Sequence, residues 1–93
     1  MINLEELFEK HKDEYLQFDR IEKKFHRRMD IHAFILLDRL VPNVRDMVDG
    51  AEHDKIYLDV NPEDIVEVVT EEQVIELIRC GVRLDDDQFT MFV

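Results

Sequence analysis

The chain contains one cysteine, Cys80, and no serine. A lone cysteine excludes an intrachain disulfide and with it the disulfide-stapled secreted scaffold. Without serine there is no Ser-based nucleophile, and Cys80 beside Gly81 reads as a small buried hydrophobe rather than an activated thiol. Glycine and proline are scarce too, with two of each, Gly50, Gly81, Pro42 and Pro62. Nothing before residue 42 therefore breaks a helix on steric grounds. The longest apolar run, Ala33 to Leu37, falls far short of the roughly 20 residues that span a bilayer. The opening residues, Met1 to Glu6, lack the basic then apolar character of a signal peptide. A reducing, cytoplasmic setting is the expectation.

Cations are the other shortage. Twelve Lys and Arg face twenty-three Asp and Glu, for a formal charge of −11. An apolar share of 45% is nevertheless ordinary for a folded chain, and 93 residues make one domain. Residues 1–28 carry acids and bases in equal number, so the whole excess of acid lies in residues 29–93. Asymmetry of this kind concerns partners and solubility more than fold.

Leu4, Phe8, His11, Tyr15, Phe18, Glu22, Phe25 and Met29 recur at steps of four and three, which predicts a helix from about Leu4 to Arg28 with a stripe along one face. Glu5, Glu6 and Glu9 at its start and Lys23, Lys24, Arg27 and Arg28 at its end suit the helix dipole. Such a rod would be about 38 Å long, too long for a compact domain of this size. It should protrude and pair, giving a homodimer or higher homo-oligomer through Leu4, Phe8, Tyr15, Phe18, Phe25 and Met29.

Asp30 is the expected N-cap of a second helix, Ile31 to Val41, apolar over most of its circumference and so central. Pro42 ends it or starts a short third helix through Val44, Met47 and Val48, closed by Gly50. Ile56, Leu58 and Val60 alternate with Tyr57 and Asp59, predicting a strand over Lys55 to Val60. Residues 61–69 fit a short helix capped by Asn61 and started by Pro62, or a β-branched strand; the capping chemistry favours the helix. Thr70 with Gln73 is a capping box opening a helix from Glu71 to Cys80, which Gly81 closes. Val82 to Leu84 and Gln88 to Val93 then form a hairpin over Asp85–Asp87. The fold class is α+β: a long N-terminal helix and helical bundle, then a small antiparallel sheet, the C-terminal half having a winged-helix outline.

A DNA reader needs cations on its recognition helix and wing. Here those places hold Glu71, Glu72 and Glu76, then Asp85, Asp86 and Asp87. Direct nucleic-acid binding by this half is not expected; the same six carboxylates are the expected surface for a basic partner protein, with mimicry of a DNA phosphate array, drawing also on Asp46, Asp49, Glu52, Asp54, Glu63, Asp64 and Glu67, as the alternative. The basic cluster Arg20, Lys23, Lys24, Arg27 and Arg28 would meet the acidic half of its own or a neighbouring chain, or else bind phosphate or nucleic acid at the tip of the long helix. A metal-binding or metalloenzyme alternative would use His32 and His53 with neighbouring carboxylates, but no HExxH, paired CxxC or EF-hand spacing supports it. No cofactor, resident metal or catalytic residue is assigned.

RMDIHAFILLDRLVP (Arg28 to Pro42), AEHDKIYLDV (Ala51 to Val60) and EEQVIELIRCGVRLDDDQFTMF (Glu71 to Phe92) together resemble small bacteriophage and prophage proteins of unassigned function. The resemblance implies a viral origin and, by analogy, a product that binds host machinery in the host cytoplasm. The expectation is a non-enzymatic acidic interaction protein.

Overall fold

A computed structural model describes residues 2–92. The fold is α+β. In chain order the elements are α1 (Leu4–Lys10), two 3₁₀ turns (Lys12–Glu14 and Phe18–Arg20), α2 (Met29–Leu40), β1 (Val48–Glu52), β2 (Lys55–Leu58), α3 (Pro62–Ile65), α4 (Glu71–Arg79), β3 (Arg83–Asp85) and β4 (Gln88–Phe92). The strands form one antiparallel sheet in the order β1-β2-β4-β3.

Helix α4 forms where its local chemistry places it. The Thr70 hydroxyl accepts the Gln73 N–H while the Gln73 side chain accepts the Thr70 N–H, closing both halves of the capping box. Val74, Leu77 and Ile78 turn one face into the core. At the other end Gly81 takes φ +87°, its N–H binds the Ile78 carbonyl, and the Val82 N–H binds that of Leu77. These two bonds are a Schellman motif, and Val82 and Leu77 are both buried beside it. Asn61 caps α3 in the same local way, its side chain accepting the Glu63 N–H, with Pro62 in the first turn.

The hairpin β3–β4 turns on Asp86 and Asp87, both in the left-handed region at φ 47° and 63°. Two successive positive φ values are what a tight two-residue hairpin loop needs, and aspartate tolerates them better than most residues. Phe89, Thr90 and Met91 of β4 are buried, and β4 pairs with β2 on its other side. The expected wing is therefore a central strand of the sheet, and with α3 only four residues long the winged-helix outline does not hold.

The predicted helix over residues 4–28 is not formed. Helix α1 ends at Lys10, the chain passes through two 3₁₀ turns, and Leu16 adopts φ 62° with its N–H on the Ile78 carbonyl of α4. A rod of about 38 Å gives way to a body whose principal extents are 30 × 27 × 24 Å. The stripe has no steric breaker, but packing overrides propensity. Folding back on α4 buries Leu4 and Ile21 and half-buries Phe8, Tyr15 and Phe18, contacts that a protruding monomeric helix would lack. Glu14 fastens the turn-back, accepting from Arg79 Nε of α4 at 2.9 Å and, on both carboxylate oxygens, from Arg20 Nη1 at 2.9 and 3.0 Å. Arg79 holds the Glu14 carboxyl below its ordinary range.

Two further expectations are corrected. Arg28 rather than Asp30 is the N-cap of α2, which buries His32, Ala33, Leu36 and Leu37 on one face instead of being enclosed all round. Pro42 starts no third helix, because the Asn43 side chain accepts the Val44 and Arg45 N–H groups and turns the chain. Residues 48–52 then gain a ladder along β2, with a bulge between Val48 and Gly50, and become strand β1. Among the described residues no helix is long and apolar enough to cross a membrane.

Candidate functional site

His32 sits wholly buried on α2, and both of its ring nitrogens are engaged. Nδ1 accepts the Phe25 N–H at 3.0 Å, which leaves Nε2–H to donate to Glu76 Oε2 on α4 at 2.7 Å. Phe18 meets the imidazole edge-on at 5.6 Å, and Phe25 stacks on it at 4.8 Å. The Arg39 guanidinium lies over the Phe25 ring at 4.1 Å. One residue thus ties α2, α4 and the loop between residues 21 and 29. His53, the other histidine considered for a metal, stands exposed at the tip of the β1–β2 hairpin with φ 55°. Among the described residues no three His, Cys, Asp or Glu side chains gather to hold a metal ion. Cys80 is buried, and burial followed by the nearby Glu76 charge pushes its thiol up to about 12. As an unactivated thiol it suits a packing role.

The six expected self-association residues fall in different places. Leu4 is a core residue, while Phe8, Tyr15, Phe18 and Met29 are half-buried against the core and Phe25 is engaged by His32 and Arg39. Phe8 and Tyr15 line an open groove of about 550 Å³ between α1 and β3, with the half-exposed Phe92 at its side. They form no common helical stripe.

The six expected partner-binding carboxylates divide as well. Glu71 is held by His11 at 2.7 Å and Lys10 at 3.3 Å, and these partners, His11 first, lower its pKa. Glu76 holds His32. Asp85 receives Lys55 at 3.1 Å and the Thr90 hydroxyl at 2.9 Å; burial raises its carboxyl, but these bonds and the nearby Arg83 outweigh it and the net shift is downward. Glu72, Asp86 and Asp87 remain exposed without an ion-pair partner among the described residues.

Folding adds carboxylates that the sequence kept apart. Asp49 of β1, Asp59 after β2, and Asp86 and Asp87 of the β3–β4 turn line one hollow of about 260 Å³. Asp59 is paired with Arg45 at 2.9 Å, and the others have no ion-pair partner among the described residues. The cations are distributed in the opposite sense. Every Lys and Arg outside the 23–28 segment and Arg39 lies within 4 Å of a carboxylate. No sequence signal marks the links from His32 to Glu76 or from Phe25 to Arg39, since each joins residues on different elements. No protein-family model, curated protein or solved structure matches the chain.

Proposed function

We propose that the protein is a non-enzymatic binding module that offers an acidic surface to a basic partner protein, a host protein if the phage resemblance reflects its origin. The supporting observation is the charge left over after internal pairing. Asp46, Asp49, Asp54, Glu63, Asp64, Glu67, Asp86 and Asp87 lie exposed on the sheet edge, the turns and α3 without an ion-pair partner among the described residues. Unneutralised carboxylates on loops fixed by a folded scaffold create a negative potential that steers a basic partner and sets its register. The self-association expected from the N-terminal stripe loses the protruding rod that suggested it, so the reading is confined to the acidic face.

The test is capture from nuclease-treated bacterial lysate by the tagged chain, washed at low and then high salt and read by mass spectrometry. The expected result is a basic protein that leaves at high salt. Asp86→Lys with Asp87→Lys should reduce its capture by at least about tenfold, or about 1.4 kcal/mol. Capture of nothing, or capture indifferent to the double reversal, would overturn the reading. Competition by duplex DNA for the captured protein would select the DNA-mimic form of it.

A further inference from the structure

Among the described residues, four of the five Lys and Arg without a carboxylate within 4 Å share one loop, and the fifth lies over a ring of that loop. Lys23, Lys24, Arg27 and Arg28 lie on the loop that joins the second 3₁₀ turn to α2, and Arg39 reaches the same loop from the last turn of α2 through the Phe25 ring. None of the five has a carboxylate within 4 Å among the described residues, in a chain with almost twice as many acids as bases. Lys23 shares a hollow with Glu22 and Glu72, so the strongest part of the patch is Lys24, Arg27, Arg28 and Arg39.

The loop has no regular secondary structure, yet its backbone is tied at several points. The Lys24 ammonium donates to the Ile21 carbonyl at 2.7 Å and lies over the Phe18 ring. The Phe25 N–H is held by His32 and the Arg28 N–H by His26 Nδ1 at 3.0 Å. Ile21 is buried at one end, and α2 begins at the other. Exposed cations on a prefixed backbone bind an anionic partner with less ordering cost than cations on a free loop.

We propose that Lys24, Arg27, Arg28 and Arg39 bind the phosphodiester backbone of a nucleic acid. The composition of the patch distinguishes this partner from a protein. Stable protein interfaces centre on desolvated apolar and aromatic side chains and are depleted in charge at the core. Here the one large aromatic in the patch, Phe25, is already engaged by His32 and Arg39. Nucleic-acid interfaces are polar and strongly positive, and guanidinium forks match phosphate oxygens. With Phe25 so engaged there is no evident platform for base stacking, and no element is placed to enter a groove, so binding follows the backbone without reading sequence. The net charge of −11 repels a polyanion within about the Debye length, and the phosphate contacts themselves weaken as salt rises, so binding belongs to low or moderate salt.

The experiment is fluorescence anisotropy of labelled duplex DNA, single-stranded DNA and single-stranded RNA, each titrated with the full chain at 50 and 200 mM salt. Saturable binding is expected at 50 mM. Neutralising four phosphates should weaken it at 200 mM by about 150-fold for duplex and about 50-fold for a single strand. Arg27→Glu with Arg28→Glu should abolish binding while far-UV circular dichroism stays unchanged. Lys24→Gln with Arg39→Gln is the second variant and should weaken binding at least tenfold. Absence of binding at 50 mM to all three probes would overturn the proposal, as would equal binding by a folded double reversal. Salt-sensitive self-association lost in that variant, with no nucleic-acid binding, would overturn it and assign the patch to a second copy of the chain.

Discussion

At His32 the sequence allowed a metal ligand, and the fold uses the side chain otherwise. Ligation needs a free ring nitrogen, but Nδ1 accepts the Phe25 N–H and Nε2–H donates to Glu76. A leucine there would fill comparable space while leaving a backbone donor unpaired and Glu76 without its partner. Since Glu76 is only partly buried, water recovers some of the loss. His32→Leu should therefore cost about 2–4 kcal/mol of stability in urea denaturation. Hydrogen exchange at the Phe25 amide should accelerate more than at the core of α4. A loss under about 1 kcal/mol with unchanged exchange would mean that His32 does not hold the loop. His32 was legible as a chemically unusual residue, but its partners were not: Glu76 is 44 residues away, and no local pattern brings the two together.

Helices α3 and α4, whose starts carry their own capping residues, were read correctly in outline, as were strand β2 and the β3–β4 hairpin, whereas the cap of α2, strand β1 and the 4–28 segment were set by their neighbours and were not. Thr70 with Gln73, Gly81, and Asn61 with Pro62 act within a few residues of themselves, so they mark α4 and α3 in any tertiary setting. Gly81 also shows where local and tertiary demands meet. A Cβ there would add the penalty of φ +87° and lie 2.9 Å from Leu16 Cδ2. Gly81→Ala should cost about 1–2 kcal/mol by thermal or chemical unfolding. Adding Leu16→Ala should recover only the steric part, because Leu16 is half-exposed and its end can move. Full recovery would mean the left-handed backbone matters little. By contrast, β1 has almost no strand character of its own in Val-Asp-Gly-Ala-Glu, and it exists because β2 offers a ladder. The 4–28 stripe failed for the complementary reason: period alone cannot tell a helix that continues from apolar residues that meet the same core by turning back.

Across the whole molecule the charge pattern governs behaviour with pH. Glu14, Glu71 and Asp85 all have carboxyls below their ordinary values because cations or hydrogen-bond donors favour the ionised form. A folded-state pKa below the unfolded one stabilises the protein above the unfolded value, and that contribution disappears as pH falls through the folded value. Denaturation midpoints should therefore drop below the ordinary carboxylate range, from about pH 4 downward. In Glu14→Gln the drop should be shallower, because one of the three linked groups is gone. A variant that loses stability with acid as steeply as the wild type would remove Glu14 from this account. Glu14 and Glu71 join the N-terminal segment to α4, so acid should loosen the residue 10–20 region before the sheet.

The sequence by itself determined the α+β class, the capped starts of α3 and α4, a hairpin turn within Asp85–Asp87, and an excess of acid that tertiary structure can distribute but not remove. These follow from interactions spanning a few residues, or from composition. Only the tertiary structure decided that the N-terminal stripe turns back on α4, that residues 48–52 become a sheet edge, and that β4 lies inside the sheet. It also decided which charges are neutralised: Glu71, Glu76 and Asp85 within the protein, while Asp49, Asp86 and Asp87 face one hollow and Lys24, Arg27, Arg28 and Arg39 have no carboxylate within 4 Å among the described residues. Burial and ion pairing depend on distances between residues far apart in sequence, and those distances are set by how the elements pack against one another.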